Sequence, residues 1–223
     1  MLQVRSLSKR YGDSVVFHDV SLTLQRGDFV ALLGESGVGK STLLNCIAGL
    51  DQADSGHLIV AGQDLADASD DDRARLRRQH LGFVFQAFHV LPHLSVAENV
   101  ALPLLLLGRP DPARVAEVLD AVGLAGLGAR QPAQLSGGQL QRVAIARAVV
   151  HQPGLILADE PTGNLDPDTA ERVLDLLRRQ VHEAGAACLL VTHSAAAASR
   201  ADRVLRLTPS GVVAAPTAAA GPP

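Results

Sequence analysis

Residues 34–41 read Gly34-Glu35-Ser36-Gly37-Val38-Gly39-Lys40-Ser41, directly after the apolar run Phe29-Val30-Ala31-Leu32-Leu33. A short unbroken apolar run has the character of a strand buried on both faces. A strand that enters Gly-x-x-x-x-Gly-Lys-Ser and leaves as a helix, expected here over 41–49, wraps a polyphosphate. The glycines let backbone N–H groups turn inward, because no Cβ blocks the approach. The positive end of the helix dipole points at the same charge. Lys40 is one of only two lysines in the chain. Its compact ammonium suits the β- and γ-phosphates, and the Ser41 hydroxyl suits a Mg²⁺ ion. A nucleoside triphosphate is therefore the expected ligand.

Composition narrows the class without naming it. With 223 residues, 47% apolar and 19% charged, the chain has enough material for one large or two small soluble units with a real core. A net charge of −3 gives no global electrostatic case for nucleic acid, and none is expected as a partner. Cys46 and Cys188 lie in an apolar helix and an apolar strand, and read as buried free thiols in a reducing compartment. Residues 1–30 show no continuous apolar stretch of the signal-peptide kind. The Leu-rich run Leu102–Leu107 contains Pro103 and is far short of the ~20 residues that span a bilayer. Any membrane role is thus expected to come through a partner.

Strands are expected at Leu2–Leu7, at Val15–Phe17 continuing into Val20–Leu24, and at Phe29–Leu33, with turns at Tyr11-Gly12-Asp13 and Gln25–Asp28. Gly56–Val60 and Gly62–Leu65 add a pair. Ser69 and Asp72 open an Arg-rich helix over 70–79. Phe83-Val84-Phe85 is a strand ending at Gln86. Residues 87–150 then turn helical, with one helix from Asp111-Pro112 to Gly123 and a second from Ser136 to His151. The pattern resumes with a strand at Gly154–Ala158, a helix from Asp166-Pro167 to about Gly185, and strands at Ala187–Thr192 and Asp202–Leu207. An α/β core with a mainly parallel sheet and a helical insertion follows from this order.

Leu155-Ile156-Leu157-Ala158 delivers Asp159 and Glu160 at the carboxyl end of a strand, the edge where α/β sheets place ligands. Neighbouring side chains diverge, so the two acids take different tasks: Asp159 for the Mg²⁺ shell, Glu160 for polarising the attacking water. Leu135-Ser136-Gly137-Gly138-Gln139 caps a helix and exposes N–H groups for a second anion, although the same residues also read as a plain capped helix.

Leu135–Gln139 resembles the signature sequence of the ATP-binding-cassette ATPases, and nearly the whole chain follows that family's order of motifs. The resemblance implies a P-loop NTPase fold: a RecA-like core, a small N-terminal antiparallel β subdomain and a helical family-specific insertion. It implies an ATP-binding domain over 1–210, and the Ala-, Pro- and Gly-rich composition of the end predicts a disordered tail over 211–223. Gly34–Ser41 with Thr42 resembles its Walker A, Leu155–Asp159 its Walker B, and Glu160 its catalytic glutamate. Gln86 falls at its Q-loop, which senses Mg²⁺ and the membrane partner. Gly163-Asn164-Leu165-Asp166 resembles its D-loop, and His193 its switch histidine, a γ-phosphate contact. Tyr11 sits where the family stacks an aromatic on adenine, while a plain core tyrosine is the other reading. Metal contacts are thus implied at Ser41, Gln86 and Asp159. ATP contacts are implied at Tyr11, Gly34, Glu35, Ser36, Gly37, Val38, Gly39, Lys40, Ser41, Thr42, Gln86, Asp166 and, from a second copy, at Ser136, Gly137, Gly138 and Gln139. His89 and His93, with Pro92 between them, read as loop residues and not as a metal pair.

Phe83–Pro92, Ser95–Val100 and Asp159–Asp166 are similar to the branch that holds lipoprotein-release (LolD-like), macrolide-export (MacB-like) and cell-division (FtsE-like) ATPases. An ATP- and Mg²⁺-dependent ATPase is implied, closing head-to-tail on a second copy and driving a separate permease from the cytoplasmic face of the inner membrane. The alternative within the branch is an ATP-driven regulator of a periplasmic partner. A DNA-repair or translation ATPase fits poorly, since the chain has no long coiled-coil insertion, zinc-finger set or second cassette. Arg73, Arg75, Arg77 and Arg78 either face a partner or lipid or form a solvated helix face. The Ala/Pro-rich end departs from members with an added C-terminal regulatory domain.

Overall fold

The computed structural model of the chain describes residues 1–208 and 210–214. Two sheets organise them. A four-stranded antiparallel sheet joins β2 (Ser14–Leu24), β1 (Leu2–Tyr11), β4 (Ser55–Val60) and β5 (Gln63–Asp64) in that order. A six-stranded sheet runs β10 (Gly211–Ala214), β9 (Arg203–Thr208), β3 (Phe29–Leu33), β8 (Ala187–Thr192), β7 (Leu155–Asp159), β6 (Leu81–Phe85). Its strands are parallel except β10, which pairs antiparallel with β9.

The apolar runs are continuous because the parallel sheet is covered on both sides. In β3, Phe29 and Ala31 enter one hydrophobic core while Val30 and Leu32 enter the other. The same alternation splits Ile156 and Ala158 from Leu155 and Leu157 in β7. Fully burying one such Leu or Phe contributes about 1.5–3 kcal/mol. One core holds α1 (Lys40–Ile47), α2 (Asp70–His80) and the antiparallel sheet; the other holds α3 (Val96–Leu106), α4 (Pro112–Ala121), α5 (Gly137–Val149) and α6 (Pro167–Glu183). A short α7 (Ala195–Ala198) follows β8. Cys46 and Cys188 are buried and free, and burial pushes the Cys46 thiol up to about 12.

Several boundaries differ from the sequence reading. β2 is one strand across Ser14–Leu24, with Asp19 in the left-handed region at φ 54° where the two expected pieces meet. The helix α3 was not expected. Ser95 and Glu98 form a complete capping box at its start, with Ser95 N–H to Glu98 Oε2 at 2.7 Å and Glu98 N–H to Ser95 Oγ at 3.3 Å. Pro103, which reads as punctuation, lies inside this helix. The preceding loop is pinned by the buried Asn99 amide, which donates to the Leu91, Leu94 and Ser95 carbonyls at 3.0 Å each. A tail beginning at 211 is also corrected: residues 211–214 form β10, because Gly211 to Ala214 pair with Thr208 to Leu205. The remainder of that expectation, 215–223, lies outside the described residues.

The arginines of α2 divide by face. Arg77 donates to the Gly49 carbonyl at 2.7 Å, capping the end of α1, whereas Arg75 pairs with Asp72 at 3.0 Å on the exposed side. Among the described residues no helix is long and apolar enough to cross a membrane.

Candidate functional site

Strand register brings the candidate residues to one edge. Phe85 pairs with Asp159, Asp159 with Val191, and Leu33 with Thr192. Consequently Gln86, Glu160, His193 and Gly34 all leave their strands at the same end of adjacent parallel strands, the end that binds ligands in such sheets.

Gly34–Gly39 forms the loop between β3 and α1, with Glu35, Ser36 and Gly37 exposed at its tip. Gly39 requires its lack of a side chain twice over. It has φ 98°, and a Cβ there would lie 2.7 Å from Val16 Cγ1 of β2. Val38 folds back, its N–H reaching the Glu35 carbonyl at 3.4 Å. Lys40 is buried, and its Nζ donates to the Gly34 and Glu35 carbonyls at 2.8 Å each. A buried ammonium held by two neutral carbonyls keeps capacity for an anion. Ser41 and Thr42 follow in the first turn of α1.

Opposite stand the acids. Asp159 closes β7 half-buried; burial raises its pKa, against a hydrogen bond from Ser41 that lowers it. Glu160 takes φ 46° immediately after the strand, and its N–H is fixed to the Val191 carbonyl at 2.9 Å. That left-handed conformation is unfavourable for a glutamate and turns its carboxylate toward β8. Oε1 lies 2.8 Å from His193 Nδ1, and the Thr192 hydroxyl donates to Oε2 at 3.2 Å. An ionised carboxylate only accepts, so the network assigns the proton to Nδ1.

Gln86 is tied to Asn164: its Nε2 donates to Asn164 Oδ1 at 3.2 Å, and Asn164 Nδ2 donates to the Gln86 carbonyl at 3.0 Å. Gly163 makes room, since a Cβ there would meet Gln86 Nε2 at 2.7 Å. Tyr11 is 54% exposed, which removes the core-tyrosine reading. Its hydroxyl donates to Asp51 Oδ2 at 2.5 Å, and the Lys9 ammonium sits 4.8 Å from its ring centroid while pairing with Asp51 at 2.7 Å.

Ser136 caps α5, with reciprocal bonds between Ser136 and Gln139 at 2.9 and 3.3 Å. Gly137 and Gly138 form the first turn, where a Cβ on Gly138 would come within 2.6 Å of Thr169 Cγ2. These residues line a cleft of about 500 Å³ with Asn164, Asp166, Thr169 and Arg172, and no residue of 34–42 lines it. Asp166 caps α6 by accepting from Thr169 N–H at 3.0 Å, so it stands with the signature residues of its own chain. Within one chain the cleft at Ser136–Gln139 is thus separate from the loop over residues 34–42.

The sequence model described as ABC transporter matches residues 17–163, more than half of the chain. The chain belongs to the ABC transporter family. Among relatives in this family, the lipoprotein-releasing system ATP-binding protein LolD of Ruegeria sp. (strain TM1040) is 49% identical over 214 residues, covering 92% of this chain and 94% of that protein. The macrolide export ATP-binding/permease protein MacB of Syntrophobacter fumaroxidans is 43% identical over 99% of this chain but only 32% of its own length. The ATP-binding cassette MJ0796, in a dimeric post-hydrolysis state bound to ADP and Pi, is similar at a TM-score of 0.84 and 37% identity, covering 95% of this chain and 96% of that one. The fold is therefore that of an ABC cassette.

Sequence reasoning missed some residues that the structure brings to the candidate site. Thr192 was read only as a strand end, Asn164 only as part of a motif, and Lys9 and Asp51 not at all. Asp51 is 40 positions from Tyr11, and only the pairing of β1 with β4 and the turn after α1 bring them together. The one local signal was Lys9 being the second of two lysines in an arginine-rich chain.

Proposed function

We propose that this chain is the ATP-binding and hydrolysing subunit of a transporter of the lipoprotein-release or macrolide-export type, working as a dimer on a separate membrane permease. The observation that carries the reading is the Glu160–His193 contact, which stands on the strand next to the phosphate loop with both residues of a water-activating pair in place. The extended likeness to LolD supports the branch.

The nucleotide's phosphates enter the loop over Gly34–Thr42, and Lys40 exchanges its two carbonyl partners for phosphate oxygens. Adenine stacks on the exposed Tyr11 ring. Glu160 accepts the proton of the attacking water as the water oxygen bonds to the γ-phosphorus and the bond from that phosphorus to the β,γ-bridging oxygen breaks, with ADP leaving. Thr192 and His193 hold the two carboxylate oxygens, so the base is oriented before substrate arrives. The separate cleft at Ser136–Gln139 gives the second anion site a physical use only if another copy brings it over the γ-phosphate, with the helix dipole of α5 behind it.

The donor set fits Mg²⁺: Ser41, Asp159 and Gln86 present hard oxygens, and Asp159 is a half-buried carboxylate whose Ser41 partner is neutral. Among the described residues no group of three or more His, Cys, Asp or Glu could hold a metal. When bound, the ion neutralises charge on the β- and γ-phosphates. The permease places the subunit at the cytoplasmic face of the inner membrane.

The test is dimerisation. The Glu160→Gln chain with ATP and Mg²⁺ should sediment at twice the monomer mass and return to monomer when nucleotide is removed. A chain that binds ATP yet stays monomeric at every concentration would defeat the reading.

A further inference from the structure

The turn after Gln86 is held in an improbable shape. Phe88 and His89 both lie in the left-handed region, at φ 59° and 47°, and neither is a glycine. Consecutive left-handed residues with side chains persist only where surrounding contacts over-determine them. Arg147 supplies those contacts. Its Nη2 donates to the Phe88 carbonyl at 2.9 Å and its Nη1 to the His89 carbonyl at 2.7 Å. The His89 ring also packs on Phe85 at 4.7 Å between centroids.

Two further facts give the turn a reach. Arg147 belongs to α5, the helix that begins with Gly137 and Gly138. The ring of Phe88 lies at the other end of the same helix: a Cβ on Gly137 would be 3.9 Å from Phe88 Cζ, with Leu165 Cδ2 at 3.7 Å. Ten residues of helix cover ~15 Å, and an arginine side chain leans back toward the helix N-terminus, so a single residue, Phe88, reaches from one to the other. Its carbonyl is gripped from the Arg147 end while its ring stands beside the first turn, within van der Waals reach of any side chain at Gly137. The Arg147 guanidinium is depressed in pKa by burial, and its hydrogen bonds go to backbone carbonyls that another acceptor could replace.

We propose that Arg147 and Phe88 are positioning residues for the composite ATP site. Arg147 holds the turn after Gln86 in its left-handed form, and the turn sets, through the Phe88 ring, where the N-terminus of the signature helix stands for the γ-phosphate held by a second copy. This rests on the dimer reading above and adds to it the residues that transmit the state of the Gln86 turn to the other copy's nucleotide. Movement of the turn displaces Gly137, and the hydrogen bonds of Arg147 run to the turn and not to the phosphate loop of the same chain.

The experiment uses the full chain in the Glu160→Gln background, with Arg147→Lys and Phe88→Gly added separately. Lysine keeps the charge and loses the two-pronged grip. Glycine accepts φ 59° without strain and removes the ring, so the chain keeps its fold. Two quantities are measured: ATP affinity of the dilute monomer with a fluorescent ATP analogue, and the ATP concentration for half-maximal dimerisation by sedimentation. Each variant is expected to raise the second by about tenfold while leaving the first within about twofold. Half-dimerisation within about threefold of the parent overturns the proposal. So does a parallel loss of monomer ATP affinity, which would mark general structural damage. If the Glu160→Gln parent itself fails to dimerise, the functional reading falls and the proposal with it; variants that merely match a dimerising parent sink the proposal alone.

Discussion

Glu160 Oε1 lies 2.8 Å from His193 Nδ1, and the glutamate reaches it from a backbone at φ 46°. A non-glycine residue in that region costs on the order of 1–3 kcal/mol. The strain is held by the Glu160 N–H bond to Val191 and by the two side chains on its carboxylate, all from β8 or the residue after it. The strand next door thus aims the Glu160 carboxylate.

Replacing the proposed base should separate binding from chemistry. Glu160→Gln keeps the shape and the Thr192 bond but loses proton affinity, so turnover should fall by about 100-fold or more with ATP affinity preserved. Single-turnover hydrolysis beside equilibrium nucleotide binding measures both, and near-normal turnover would remove Glu160 from the role.

Lys40→Ala acts on binding itself. It removes the ammonium from a buried site and leaves the Gly34 and Glu35 carbonyls without their donor. Triphosphate affinity should drop by about tenfold or more, as expected for losing a charge-assisted hydrogen bond worth about 1.5–3 kcal/mol. Isothermal titration with ATP reports it, and an unchanged affinity would contradict the phosphate-loop assignment.

Asp159 should trade stability for function. Burial raises its pKa in the folded chain, so the folded state binds the proton more tightly than the unfolded one. Stability then declines as pH rises from the ordinary carboxylate value of about 3.9 through the raised value, and the penalty is complete above it. Asp159→Asn removes the penalty: the nucleotide-free chain should melt higher at neutral pH, by on the order of a few °C, and hydrolyse ATP poorly. Thermal melts between acid and neutral pH check the sign; a lower Tm than wild type would reverse it.

Asp51 behaves oppositely. Burial alone would raise its pKa, but hydrogen bonds from Lys9 and Tyr11 outweigh that and hold it below the usual range. Its stabilisation is therefore present above about pH 3.9 and lost as pH falls through the depressed value. Asp51→Asn should cost about 1–3 kcal/mol at neutral pH and flatten the acid limb of the stability curve. It should also loosen Tyr11, raising the KM for ATP while leaving kcat alone, whereas Tyr11→Ala should raise KM further by losing the stacking surface. Equal KM values in all three chains would mean the ring does not carry the base.

The phosphate loop was legible because its requirements are local: Gly39 must lack a side chain, Lys40 must follow it, and a buried strand must precede it. The Asp159-Glu160 pair was legible for the same reason. The helix at Val96–Leu106 was not, because Pro103 interrupts its pattern and the stabilising capping box involves only Ser95 and Glu98. The arginines of α2 were ambiguous in sequence. Their division depends on Arg77 meeting the end of α1, a contact between residues 28 positions apart.

By itself the sequence determined where the candidate residues lie, since a glycine-rich loop, one lysine and two acids at a strand end are short-range patterns. Only the tertiary structure decided how they meet. Strand order and register set His193 on Glu160 and Asp51 on Tyr11, and α5 carries Ser136–Gln139 to a cleft that no residue of Gly34–Thr42 lines. Those contacts arise from packing distant segments around a sheet buried on both faces, and no spacing along the chain encodes them.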